Sequence, residues 1–167
     1  GEGPRRYLSA MRFPRAIRLD ASDLKVFAVA AEPGEWAVPG AFAFANADPQ
    51  DLTGKARQAF VHGFLGTESF GWTTLVEVAE IDEDNHERVV VRLADHFVAH
   101  YGAPDRTAAM PVARDEVGFA AGLCDHKLHT LLMVERELGE DGIVERFKVI
   151  HPPRGAQHAK IWSIVEE

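Results

Sequence analysis

The feature that most constrains this chain is a run of apolar residues at helical spacing. Val90, Leu93, Ala94, Phe97, Val98 and Tyr101 fall at i, i+3, i+4, i+7, i+8 and i+11, which places one apolar stripe along a helix and obliges it to pack against something. The punctuation agrees. Asp82 or Asp84 can cap the start, acids follow in the first turn, and Gly102 before Pro104 stops it. A second helix is predicted from Pro111 to about His126. Val117, Ala120, Ala121 and Cys124 lie on one side of it and Phe119 and Leu123 on another, so much of its circumference should be buried.

Around these helices the pattern is that of strands. Phe13, Ile17 and Leu19 lead to the turn Asp20-Ala21-Ser22-Asp23, then to the apolar run 24–30. Pro33-Gly34 marks a turn, and Trp36-Ala37-Val38 resumes a strand that Pro39-Gly40 bends before 41–45. A helix should start at Asp48-Pro49, carry a stripe of Leu52, Ala56, Phe60 and Phe64, and stop at Gly66. Residues 70–81 read as one strand. Residues 130–138 and 143–150 form a hairpin around Gly139-Glu140-Asp141-Gly142, and 159–165 form a last strand. The order βββ-α-β-αα-βββ keeps strands apart from helices. It predicts an α+β domain with a mainly antiparallel sheet and about three helices on one face.

The 167 residues, 46% hydrophobic, suffice for one domain with its own core; it is placed at 11–167, after a flexible arm over 1–10 that begins with a possible tag remnant, Gly1. The formal charge of −8 is uneven. Arg5, Arg6, Arg12, Arg15 and Arg18 against Glu2 give residues 1–18 a net +4, leaving a −12 body. That body argues against nucleic acid as a partner. No apolar run reaches the roughly 20 residues of a membrane span. The single cysteine, Cys124, excludes an internal disulfide and fits a reducing, cytoplasmic compartment.

Motifs that carry known mechanisms are missing from the sequence: it has no G-x-S-x-G elbow, Walker loop, G-x-G-x-x-G, C-x-x-C or EF-hand loop. Histidines remain. His96 and His100, four apart on the strongest helix, lie about one turn apart, as two metal ligands from one helix would. Cys124, His126 and His129 supply further ligand-type groups near the end of the next helix, and such a set would suit zinc. The plainer reading makes Cys124 a small buried hydrophobe and the histidines boundary residues. His86 reads as a partly buried histidine, Gly118 and Gly122 as a packing groove, and Trp36, Trp72 and Trp162 as core or sheet-face residues.

The segments Ala31-Glu32-Pro33-Gly34-Glu35-Trp36-Ala37-Val38-Pro39-Gly40, Gly63-Phe64-Leu65-Gly66 with Gly71-Trp72, and Leu123-Cys124-Asp125-His126 with Thr130-Leu131-Leu132 carry a likeness over residues 11–166. The chain resembles an uncharacterised bacterial domain family of alphaproteobacterial type. That resemblance implies a small domain of unknown function and brings no activity, cofactor or catalytic residue with it. The expectation is an accessory or binding protein that acts through protein–protein contact, as a homodimer, with no cofactor. The alternative is a metal-dependent enzyme or small-molecule binder built on His96, His100, Cys124, His126 and His129.

Overall fold

A computed structural model of the chain describes residues 10–151 and the backbone of 163–166. The elements are β1 (Met11–Ile17), α1 (Ser22–Val26), β2 (Ala37–Val38), α2 (Gly54–His62), β3 (Phe64–Gly66), β4 (Trp72–Thr73), β5 (Leu75–Ile81), α3 (Glu83–His100), α4 (Arg106–Gly122), β6 (Leu131–Gly139), β7 (Gly142–His151) and β8 (Ser163–Glu166). They build a five-stranded sheet, β1-β5-β6-β7-β8, and a three-stranded sheet, β2-β3-β4, with every strand pair antiparallel. This is the α+β architecture that the order of elements predicts. Residues 1–9 of the predicted arm, the Pro152-Pro153 break and the start of the last strand, including Trp162, lie outside the described residues.

Register sorts the large sheet into two faces. Val76 pairs with Leu132 and Leu132 with Val149, so these side chains share a face, which Phe64, Ala37 and Cys124 cover. On the other face of β6 and β7, Glu135 meets Arg146 and Lys148, and Glu137 meets Arg146. The second core lies between helices. Val90, Leu93, Ala94 and Phe97 of α3 pack on Ala109, Ala113, Val117 and Ala120 of α4, together with Phe13, Val38, Leu65 and Ile81. The alanine stripe lets the two helices approach closely, and each large side chain buried there contributes roughly 1.5–3 kcal/mol. Asp82 caps α3 by accepting from the Asn85 amide. Among the described residues no helix is long and apolar enough to cross a membrane.

The structure departs from the predicted elements where polar side chains overrule an apolar run. Residues 24–30 are not a strand: Ser22–Val26 form a short helix, with Leu24 and Val29 exposed. Phe27 is buried just after the helix, and within it the buried residue is Asp23, whose carboxylate accepts from the Thr74 amide and the Thr73 and Thr74 hydroxyls. That anchor also divides the predicted strand 70–81, since β4 belongs to the small sheet and β5 to the large one. Residues 41–44 form a 3-10 turn after Gly40, whose φ of 81° ends the strand. The helix predicted to start at Asp48 and stop at Gly66 is a 3-10 turn, Pro49–Asp51, capped by Asp48 on the Gln50 amide, followed by α2 from Gly54 to His62, so Phe64 stands in β3 rather than on a helical stripe. Gly63 makes that exit possible: a Cβ there would come within 2.6 Å of the Trp72 ring. Finally, α4 begins before Pro111, capped by Asp105 on the Ala108 amide, and ends at Gly122 rather than His126.

Candidate functional site

The helix stripe that fixes α3 in the core also fixes what its opposite flank presents. His96 and His100 stand one turn apart, with ring centroids 4.9 Å apart and planes inclined at 52°. Phe70 lies flat on His96, the centroids separated by 3.7 Å and the planes by 2°. Tyr101 sits 5.4 Å from His96, and Phe42, from the 3-10 turn, meets Tyr101 and Phe97 edge-on. Phe42, Phe70 and His96 are half-buried, and Tyr101 is 45% exposed. Together these rings make a ledge open to solvent along the C-terminal half of α3.

Phe70 is held there against its own backbone preference. Its φ is +56°, a conformation that costs a bulky residue on the order of 1–3 kcal/mol and persists only where neighbours impose it. The neighbours are specific. Beneath the turn, the Glu35 carboxylate accepts from the amides of Glu32, Glu68 and Ser69 and from the Ser69 hydroxyl, at 2.6–2.9 Å. Gly66 gives it room, because a Cβ there would lie 2.3 Å from Glu35 Oε1. From the helix side, Arg92 donates to the carbonyls of Thr67 and Glu68, with its guanidinium 5.3 Å from the Phe70 ring centroid, and Arg88 grips the Glu68 carboxylate with two bonds. The aromatic residue is clamped into display.

Electrostatics follow from that cover. Burial, then the neighbouring His100 and Arg92, push the His96 imidazole down to about 4, so it is neutral at physiological pH. Burial pushes the Tyr101 phenol up. A neutral imidazole stacked on a phenyl ring forms a surface that can be covered without stranding a charge.

The other sequence candidates do not join this ledge. His129 lies at a bulge where it and Thr130 both oppose Val78, with φ at +72°. Its Nδ1 stands 2.9 Å from Glu77, which also binds Arg15. Burial works upward on Glu77, but the bonds from His129 and Arg15 outweigh it and hold its carboxyl below the usual range. The His126 carbonyl accepts from Arg12. Arg12 and Arg15 therefore act in β1, and Arg18 just beyond it donates to the Ala31 carbonyl. Among the described residues no group of three or more His, Cys, Asp or Glu side chains is placed to hold a metal ion. His86 packs edge-on against Phe13 at the first turn of α3.

Cys124 is 2% exposed among Val76, Val78 and Leu132, and burial pushes its thiol up to about 12. A nucleophile needs the opposite shift. The folded protein should resist a thiol reagent at about pH 8 for hours and react within minutes in denaturant. Rapid stoichiometric labelling of the folded chain would contradict this placement.

A separate cleft of about 530 Å³ is lined by Ile17, Arg18, Leu19, Asp20, Ser22, Asp23, Thr74 and Leu75. Its polar groups are already committed: Arg18 to Ala31, Asp20 to the Ser22 amide, and Asp23 to Thr73 and Thr74. The ledge is the better candidate.

Fold and site thus define an antiparallel α+β domain that displays a clamped aromatic–imidazole surface. The chain belongs to DUF6505, a family of unknown function whose profile matches residues 11–165. No curated protein and no solved structure matches it.

Proposed function

We propose that this chain works by contact with protein, that the ledge of Phe42, Phe70, His96, His100 and Tyr101 is its contact surface, and that a second copy of the chain is the occupant. The observation that carries this reading is Phe70, strained at φ +56° and stacked on a neutral His96. Rigid aromatic side chains with arginine beside them are the residues that dominate protein interfaces, because they bury large areas for little lost rotamer freedom. A two-fold axis through the ledge would set the same patch on itself, as an isologous interface requires. Both signs of charge are at hand at its border in Arg88, Arg92 and Glu68, which suits self-recognition. The buried single cysteine supports a reducing setting, so the proposal places this dimer in a bacterial cytoplasm.

Size-exclusion chromatography with light scattering across protein concentration tests the dimer. The informative variant is Phe70→Gly, since glycine adopts the positive φ freely and keeps the turn while removing the ring. It should fold with a Tm within a few degrees of wild type and weaken association about 30-fold or more, the effect of losing a contact worth about 2 kcal/mol. A wild-type chain that stays monomeric at about 1 mM would remove the reading.

A further inference from the structure

We propose that His96 and His100 together form a two-imidazole half-site for a zinc ion, with the remaining coordination positions left to water or to an anionic group of a ligand. Three observations support it. The residues are four apart within α3, so both rings rise from the same side of one rigid element. Their spacing fits. Zinc–nitrogen bonds of about 2.0–2.1 Å place each ligating ring centroid about 3.2 Å from the ion, and two such rings at a tetrahedral angle about 5.2 Å apart. The observed separation is 4.9 Å. The third is second-layer support: the Phe70 ring stacked on His96 fixes one imidazole plane, which lowers the ordering cost of chelation. His100 is exposed, so an ion can reach the pair without any rearrangement of the core.

Of the five ligand candidates in the sequence, His96 and His100 are two whose rings the structure sets side by side. His129 is committed to Glu77, and Cys124 is enclosed among aliphatic side chains. Arg92, one turn before His96, is the adverse charge, and its guanidinium is engaged by the carbonyls of Thr67 and Glu68. Zinc accepts imidazole nitrogen and leaves positions open, whereas magnesium and calcium demand oxygen.

The proposal does not rest on the docking of a second copy, because one chain supplies both nitrogens. Zinc chloride titrated into the full chain by calorimetry should show one ion per chain. Ring proton signals of His96 and His100 should move together in NMR spectra. His100→Ala, at an exposed position, should fold as the wild type does and weaken zinc binding tenfold or more, whereas His129→Ala should bind zinc as the wild type does. No zinc bound at about 1 mM, or equal binding by His100→Ala and wild type, overturns the site. Light scattering in a chelator reports association separately from the metal.

Discussion

Replacing Arg136 by alanine should cost about 3–5 kcal/mol of stability, the range for breaking a buried ion pair by removing one partner. For a chain of this length that lowers the Tm by roughly 6–20 °C. The Arg136 side chain is fully buried on β6. Its Nε donates to Glu145 at 2.7 Å, Nη1 to the carbonyls of Phe60 and Ala59, and Nη2 to the carbonyl of Pro39. Ala59 and Phe60 are in the last turn of α2, where the Ala59 carbonyl also accepts from the Gly63 amide, and the guanidinium adds a favourable charge at this C-terminal end of the helix. Pro39 precedes the turn that delivers Phe42. One side chain therefore ties α2, the Phe42 turn and β7 to β6. Burial pulls the guanidinium below its ordinary range, and the hydrogen bond and charge of Glu145 oppose that pull. Burial also pushes the Glu116 carboxyl up; its contact is the Gly40 amide at 3.4 Å. Arg136→Lys should recover little, because one ammonium cannot match the planar fork. Equilibrium denaturation of both variants checks this; a loss below about 1 kcal/mol for the alanine variant would mean that the guanidinium is dispensable.

The residues just described show where the sequence is legible. The Asp82 cap and the stripe of Val90, Leu93, Ala94 and Phe97 are local and appear as the spacing predicts, whereas Val98 and Tyr101, at the far end of the predicted stripe, are exposed. So does the β6–β7 hairpin, where Gly142, with φ at +124°, supplies the turn that Asp-Gly advertises. Local signals fail where a charged side chain is buried by partners far along the chain. Asp23 meets Thr73 and Thr74, Glu35 meets Glu68 and Ser69, and Arg136 meets Pro39 and Ala59. In sequence each looks like a surface residue of a turn or strand. The candidate site divides in the same way. The His96–His100 pair follows from helical spacing alone. Phe70 carries no local mark, because phenylalanine disfavours positive φ, and only the clamp around residues 67–70 explains its pose. The glycines of the Gly63–Gly66 and Gly71-Trp72 segments make sense only once Trp72 is seen beside Gly63, Glu35 beside Gly66 and the Ala30–Ala31 backbone beside Gly71.

That clamp sets the second large effect. Glu35→Gln should cost about 2–4 kcal/mol, because the site presents only donors. Three backbone amides and one hydroxyl converge on the carboxylate; a glutamine side chain offers a single acceptor oxygen and turns an N–H₂ toward the remaining donors. The turn should open, amide exchange at Glu68 and Ser69 should accelerate, and Phe70 should leave His96. The imidazole then reports the event. In the wild type its pKa near 4 lies below the unfolded value near 6.5, so the unfolded chain binds more protons between those values and stability falls as the pH drops through that window. Without the phenyl cover the ring regains solvent, its pKa should climb toward the ordinary value, and that pH dependence should flatten. Histidine NMR titration reads the shift directly, and denaturation at about pH 7 and about pH 5 reads its energetic counterpart. If Glu35→Gln destabilises the fold but leaves His96 titrating near 4, the carboxylate supports the turn without holding Phe70. If both change together, one buried acid, more than thirty residues away in sequence, sets the shape of the ledge.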